Sequence, residues 1–186
     1  MNYYEQSLLR KKEIETGLLE LMQEMPYSEI TVKDIADHLH FVRKTFYYYF
    51  PNKRACLESL TDRLIQECNL RVVQSLPDEA TSGEIYAVRL DFWIEHRDFL
   101  DCILRNGLGS FLVERFLAYV RQEDPAVQVR LGTEAVGCDG DVLFFYMIGQ
   151  IFLLLKWCAE GFVLPMEEMI QKHLRLVHEP LLPPEK

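Results

Sequence analysis

At 186 residues, 49% apolar and 26% charged, the chain can bury a core as one domain or two small ones, and its make-up is that of a globular protein. A formal charge of −9 argues at first against a nucleic-acid partner. The charge is unevenly placed, however: through Arg54 eight Lys/Arg balance eight Asp/Glu, and the remainder holds 12 against 21.

Every segment reads as helix. Over residues 5–25, Ile14, Leu18, Leu21, Met22 and Met25 recur at helical spacing with charge on the other face, and Pro26-Tyr27 ends the run. Thr31 reads as an N-cap with Asp34 three residues on, an imperfect capping box. It opens a second helix over residues 32–39 that would bury Ile35, Ala36 and Leu39. So short a helix must be held by packing. After a turn at His40-Phe41, a third helix covers residues 42–49. Pro51 stops it, and Asn52 caps a fourth helix that runs to about residue 75 with Leu57, Leu60, Leu64 and Cys68 inward. Residues 77–83 are a polar break. Further helices are expected at 83–96, 97–105, 108–121, 140–160 and 166–177, separated by Gly- and Pro-containing interruptions. The expected organisation is a head over residues 1–53, a helical body over 54–179 and a disordered tail over 180–186, where three of seven residues are proline.

The third helix carries the chemistry. It is crowded with Arg43, Lys44, Thr45, Tyr47, Tyr48 and Tyr49, and no acid occurs from Arg43 to Arg54. Arg and Lys donate to guanine O6 and N7, while hydroxyls and phenols donate to phosphate oxygens. Phe46 and Phe50 supply the buried anchor that a helix-turn-helix needs, with Phe41 in the turn. At the start of the fourth helix, Asn52-Lys53 offers backbone N–H groups and a cation suited to a phosphate.

Thr31-Val32-Lys33-Asp34-Ile35-Ala36, followed by Phe41-Val42-Arg43-Lys44-Thr45-Phe46-Tyr47-Tyr48-Tyr49-Phe50-Pro51-Asn52-Lys53, resembles the DNA-binding signature of the TetR/AcrR family of bacterial regulators. The resemblance covers about residues 10–60. It implies an all-α fold, with an N-terminal three-helix head containing the helix-turn-helix and a C-terminal bundle for ligand binding and dimerisation. It also implies phosphate contacts from Thr31, Tyr49 and Lys53, and major-groove contacts from Arg43, Lys44, Thr45 and Tyr48. Phe46, Tyr47 and Phe50 would be mostly structural. The chain departs from the pattern twice. His40 stands where glycine is usual and must tolerate a left-handed backbone. Val42 replaces the usual serine at the head of the recognition helix, so it loses a cap and offers a methyl surface for a thymine instead.

In the body, residues 91–107 and 144–169 resemble the C-terminal domain of a TetR subgroup that includes regulators of dihydroxyacetone kinase operons. The segment over 142–157 is apolar all round and must be buried on every side, with a second subunit as one source of cover. Its Phe152 and Leu155, together with Met166, Met169, Ile170, His173, Leu174 and Val177 of the last helix, are the candidate homodimer interface. Trp93, Phe99, Phe111, Phe116, Phe145 and Tyr146 are candidate walls of an effector pocket, although plain core is the simpler role for each.

The remaining signals are weak. Five cysteines (56, 68, 102, 138, 158) form no Cys-x-x-Cys pair, which fits reduced, buried thiols better than a redox sensor. The five histidines show no zinc spacing, and no catalytic motif occurs, so no metal, cofactor or enzymatic activity is expected. The longest apolar run, residues 142–155, is 14 residues against the ~20 of a bilayer span, and residues 1–10 lack the apolar core of a secretory leader. A cytoplasmic location is expected. The reading that results is an effector-responsive repressor that binds a palindromic operator as a homodimer. Two alternatives stay open: an activator or adaptor controlled by a protein partner, and a helical protein whose head no longer binds DNA.

Overall fold

The computed structural model describes residues 3–122 and 140–178. Among them the chain is entirely helical: α1 (Tyr3–Glu24), α2 (Val32–His38), α3 (Arg43–Tyr49), α4 (Lys53–Ser75), α5 (Ser82–Glu95), α6 (Arg97–Arg105), α7 (Gly109–Gln122), α8 (Gly140–Ala159) and α9 (Met166–His178). No helix among the described residues is long and apolar enough to cross a membrane.

α4 organises the rest. At 23 residues and about 1.5 Å per residue it is roughly 34 Å long, so one helix reaches from the head into the body. Four of its side chains tie down three neighbours. Ser59 Oγ and Arg63 Nε donate to the two oxygens of buried Glu15 on α1, at 2.7 and 2.6 Å. The Arg115 guanidinium of α7 forks onto the Asp62 carboxylate at 2.8 and 2.5 Å. Arg71 forks onto Glu95 of α5 at 2.9 and 2.7 Å. A continuous apolar cluster runs beneath these pairs, from Ile14 and Leu18 of α1 through Leu57, Leu60 and Leu64 of α4 to Trp157 of α8 and Met169 of α9.

The two short helices are held in the way their length demands. Ile35 and Ala36 of α2 and Phe46 of α3 are buried against α1 and α4. Gly17 lets α2 approach α1 closely, because a Cβ there would lie 2.7 Å from Leu39 Cδ1. The capping box of α2 is complete: the Asp34 N–H donates to Thr31 Oγ1 at 3.2 Å, and the Thr31 N–H donates to Asp34 Oδ2 at 2.8 Å. α2 closes with the paired 6→1 and 5→2 bonds of a Schellman turn, Phe41 N to Ala36 O and His40 N to Asp37 O, at 2.9 and 3.2 Å. His40 takes the left-handed position of that turn, with φ 54°. A second capping box, Thr81 with Glu84, opens α5.

α8 is only partly buried by its own chain. Ile151, Leu154, Leu155, Trp157 and Cys158 are buried, but Phe145 is 72% and Phe152 51% exposed. Among the described residues, one stripe of this apolar helix is therefore uncovered.

Cys56, Cys68, Cys102 and Cys158 are free and buried; Cys138 lies outside the described residues. Burial pushes every one of these thiols up: Cys68 and Cys102 to about 11, Cys158 to about 12 with help from the neighbouring Asp101, and Cys56 well above the ordinary thiol range. Since the thiolate is the reactive form, iodoacetamide at pH 8 should leave all four unmodified in the folded chain and label them in urea, as read by peptide mass spectrometry. Glu15→Ala removes the acceptor for Ser59 and leaves Arg63 short of its buried partner. It should lower the unfolding free energy by about 2–4 kcal/mol in urea titrations.

Candidate nucleic-acid interface

α3 divides cleanly into an inner and an outer face. Phe46 and Phe50 are buried, with ring centroids 5.8 Å apart, and Lys11 of α1 sits 5.4 Å above the Phe50 ring. Opposite them, Val42 is 70%, Tyr47 56% and Tyr48 66% exposed, and Arg43 and Lys44 are exposed as well. Among the described residues no carboxylate pairs with Arg43 or Lys44. Thr45 and Tyr49 are half-buried at the margin, and Tyr48 meets Tyr49 edge-on at 4.9 Å. Two cations, an isopropyl group and two phenols thus project from one short helix backed by two phenylalanines.

The N-terminus of α3 is built as the valine substitution requires. Val42 occupies the N-cap in extended backbone (φ −80°, ψ 144°) and makes no side-chain cap bond. Its methyls consequently lie at the outer tip. Tyr47, which the family signature implies is mostly structural, stands outward as well. Helical spacing already contained that signal, because Tyr47 is four residues from Arg43 and Tyr48 four from Lys44, each pair on one face.

Thr31 and Lys53, the two remaining candidates, are engaged within the chain. The Thr31 hydroxyl donates to Asp34 Oδ2 at 2.6 Å while accepting from the Asp34 N–H, so its proton is committed to the cap. The Lys53 ammonium donates to Tyr27 O and, at 2.6 Å, to Ile30 O, and lies 4.1 Å from the Tyr27 ring centroid. Partial burial holds its pKa below the ordinary lysine value, offset in part by Asp34. An ammonium has three N–H donors, so one is left for a phosphate. Both residues shape the head first and offer a reduced donor set outward.

In the body, Trp93, Phe99 and Phe116 come together, with Trp93 centroids 6.2 Å from Phe99 and 5.8 Å from Phe116, and Phe111 is buried under Arg54. Among the described residues these four pack against core neighbours, and neither cleft described below is lined by them. Phe145 points to solvent, away from that cluster, and the Tyr146 side chain lies outside the described residues. Two clefts of about 490 and 430 Å³ lie elsewhere, one beside Leu70 and Tyr119 and one between the α6–α7 turn and Phe152.

The candidate dimer residues also separate. Leu155, Met169, Ile170 and His173 turn into the chain's own core, where α9 lies along α5 and His173 stacks on Tyr86 at 3.7 Å. Met166 and Leu174 are half-buried, Leu174 lying over Gly83, and the Val177 side chain lies outside the described residues. Among the described members of the set, Phe152 alone is well exposed. The coiled-coil-like spacing of α9 reflects packing onto α5 in the same chain.

Residues 16–60, which run from the middle of α1 into α4, match the family described as bacterial regulatory proteins, tetR family. The HTH-type transcriptional regulator EthR of Mycobacterium tuberculosis is 38% identical over 113 residues, covering 53% of this chain and 52% of EthR. The chain thus spans about half the length of the curated relatives it matches. Two solved structures share the fold across nearly the whole chain. The fatty acid degradation regulator FadR of Bacillus halodurans aligns over 92% of this chain and 96% of its own, at 16% identity and a TM-score of 0.65. The dihydroxyacetone kinase operon activator DhaS aligns over 91% and 94%, at 16% identity and a TM-score of 0.54. Residues 16–60 thus carry the helix-turn-helix of the tetR family of bacterial regulatory proteins, and the described helices share the fold of solved regulators of that kind.

Proposed function

We propose that the chain is a DNA-binding transcriptional regulator, acting as a homodimer on a palindromic operator and released from it by an effector that binds the body. The outer face of α3 carries this reading: Arg43 and Lys44 stand exposed with no acidic partner among the described residues, flanked by Val42, Tyr47 and Tyr48. In a major groove the two cations reach guanine O6 and N7, the Val42 methyls meet a thymine methyl, and the phenols reach phosphate oxygens. The acidic body is no obstacle, since the helix-turn-helix surface around α3 holds none of its excess charge.

One helix-turn-helix reads one half-site, and a two-fold dimer reads two, about 34 Å apart. The uncovered stripe of α8, with Phe145, Gly149 and Phe152, supplies the face for a second copy; a Cβ added at Gly149 would meet nothing within 4 Å, so another helix can approach closely there. This face replaces α9 as the centre of the interface.

A fluorescently labelled palindrome, selected by the protein from randomised duplexes, should show binding that weakens with salt at a slope of about −0.9 per phosphate contact. Each cation that pairs with a base edge contributes about 1–3 kcal/mol. The double substitution Arg43→Ala/Lys44→Ala should therefore weaken binding at least about a hundredfold, with the thermal midpoint unchanged. Unaltered affinity would remove α3 from the interface. By sedimentation, Phe152→Glu should shift the protein to monomer while it stays folded. Met169→Glu should instead unfold it, because that side chain is buried inside one chain.

A further inference from the structure

The α6–α7 turn belongs to the body, yet it grips the head. α6 ends in a Schellman turn, with Leu108 N donating to Ile103 O at 2.9 Å, Gly107 N to Leu104 O at 3.1 Å, and Gly107 at φ 64°. Asn106 is the C-cap residue of that turn. Its Nδ2 donates to Cys102 O at 2.8 Å, which fixes the side chain and aims Oδ1 away from α6. Oδ1 accepts the backbone N–H of Tyr27 at 2.6 Å.

Tyr27 lies in the loop between α1 and α2, and its peptide group is held from both sides. The body takes its N–H through Asn106, while Lys53 at the foot of α4 takes its carbonyl and that of Ile30, directly before the N-cap of α2. The tyrosine ring lies under the same ammonium. An unbroken path of short contacts therefore runs from the rigid end of α6 through Asn106 and Tyr27 to the start of the helix-turn-helix.

We propose that Asn106 is a positioning residue for DNA binding: its amide fixes where the head sits on the body, and so sets the separation of the two recognition helices in the dimer. The proposal rests on the DNA-binding homodimer described above. α1 also packs on α6, and α4 on α7, so the head already rests on the body through apolar faces. The Asn106–Tyr27 bond adds a directional tie at the loop before α2, and a displacement of the α6–α7 turn reaches the helix-turn-helix through it. The turn also borders the cleft of about 430 Å³ beside Phe152, through Gly107, Gly109 and Ser110, so the body's surface and the head's position share one short segment.

The test compares half-site spacing rather than affinity alone. The full chain selects a palindrome from randomised duplexes, and binding is measured on that duplex and on versions with one base pair added or removed between half-sites. Asn106→Ala should lower the wild-type preference for the selected spacing by about three- to tenfold, the scale of one hydrogen bond. Asn106→Asp retains an acceptor for the Tyr27 N–H but gives up the donor to Cys102 O, and its preference should fall between those of the alanine variant and the wild type. If the alanine variant melts early, Asn106→Ser, which retains a polar cap but is too short to reach Tyr27, carries the comparison. An equal loss at every spacing, or none, would overturn the positioning role while leaving DNA binding intact. Absence of any complex with the wild-type protein would refute DNA binding itself, and this role with it.

Discussion

Helices of seven residues do not persist in water alone, because one turn's nucleation cost is spread over too few hydrogen bonds. α2 and α3 are both of this length, so the entire DNA-facing surface depends on the apolar side chains beneath it. Ile35, Phe46 and Phe50 stand in for the length these helices lack, and α1 and α4 provide the wall against which they press. The cost of ordering exposed cations and phenols on α3 is therefore met largely in the core beneath them. This division leaves the outer face free to vary in composition without loss of the fold.

The same wall explains why head and body are not separable pieces. α4 begins as the last helix of the head and ends deep in the body, with Glu15 of α1 and Asp62 of α4 each engaged by a guanidinium. Charged groups placed at helix crossings restrict the relative angle of two helices more sharply than apolar contacts do, since a forked hydrogen bond tolerates little rotation. A helix fixed in this way on three sides transmits tilt as a rigid rod.

Most of the helical framework was legible in the sequence because its signals are local. Thr31 and Asn52 mark helix starts by their own side chains, Pro26 and Pro51 mark ends, and the spacing of Ile14, Leu18 and Leu21 marks an inner face. The turn residue His40 was legible by default: some residue had to take the left-handed position, and the family pattern shows which. What the sequence does not reveal is which of several apolar faces meets which. Met169, Ile170 and His173 have the spacing of a helix that seeks a partner, and they find it in α5 of the same chain. Lys53 reads as a surface cation, yet two carbonyls separated from it by more than twenty residues claim it. Asn106 reads only as a loop residue, because its partner is a backbone N–H and backbone leaves no trace in residue type.

The joint between α2 and α3 has one last consequence. A side chain with a β-carbon in the left-handed region costs about 1–2 kcal/mol that glycine does not incur, and this chain places a histidine there. The hinge of its DNA-reading element is thus held in a mildly unfavourable state by its surroundings, and the native protein sits below the stability its own fold could reach.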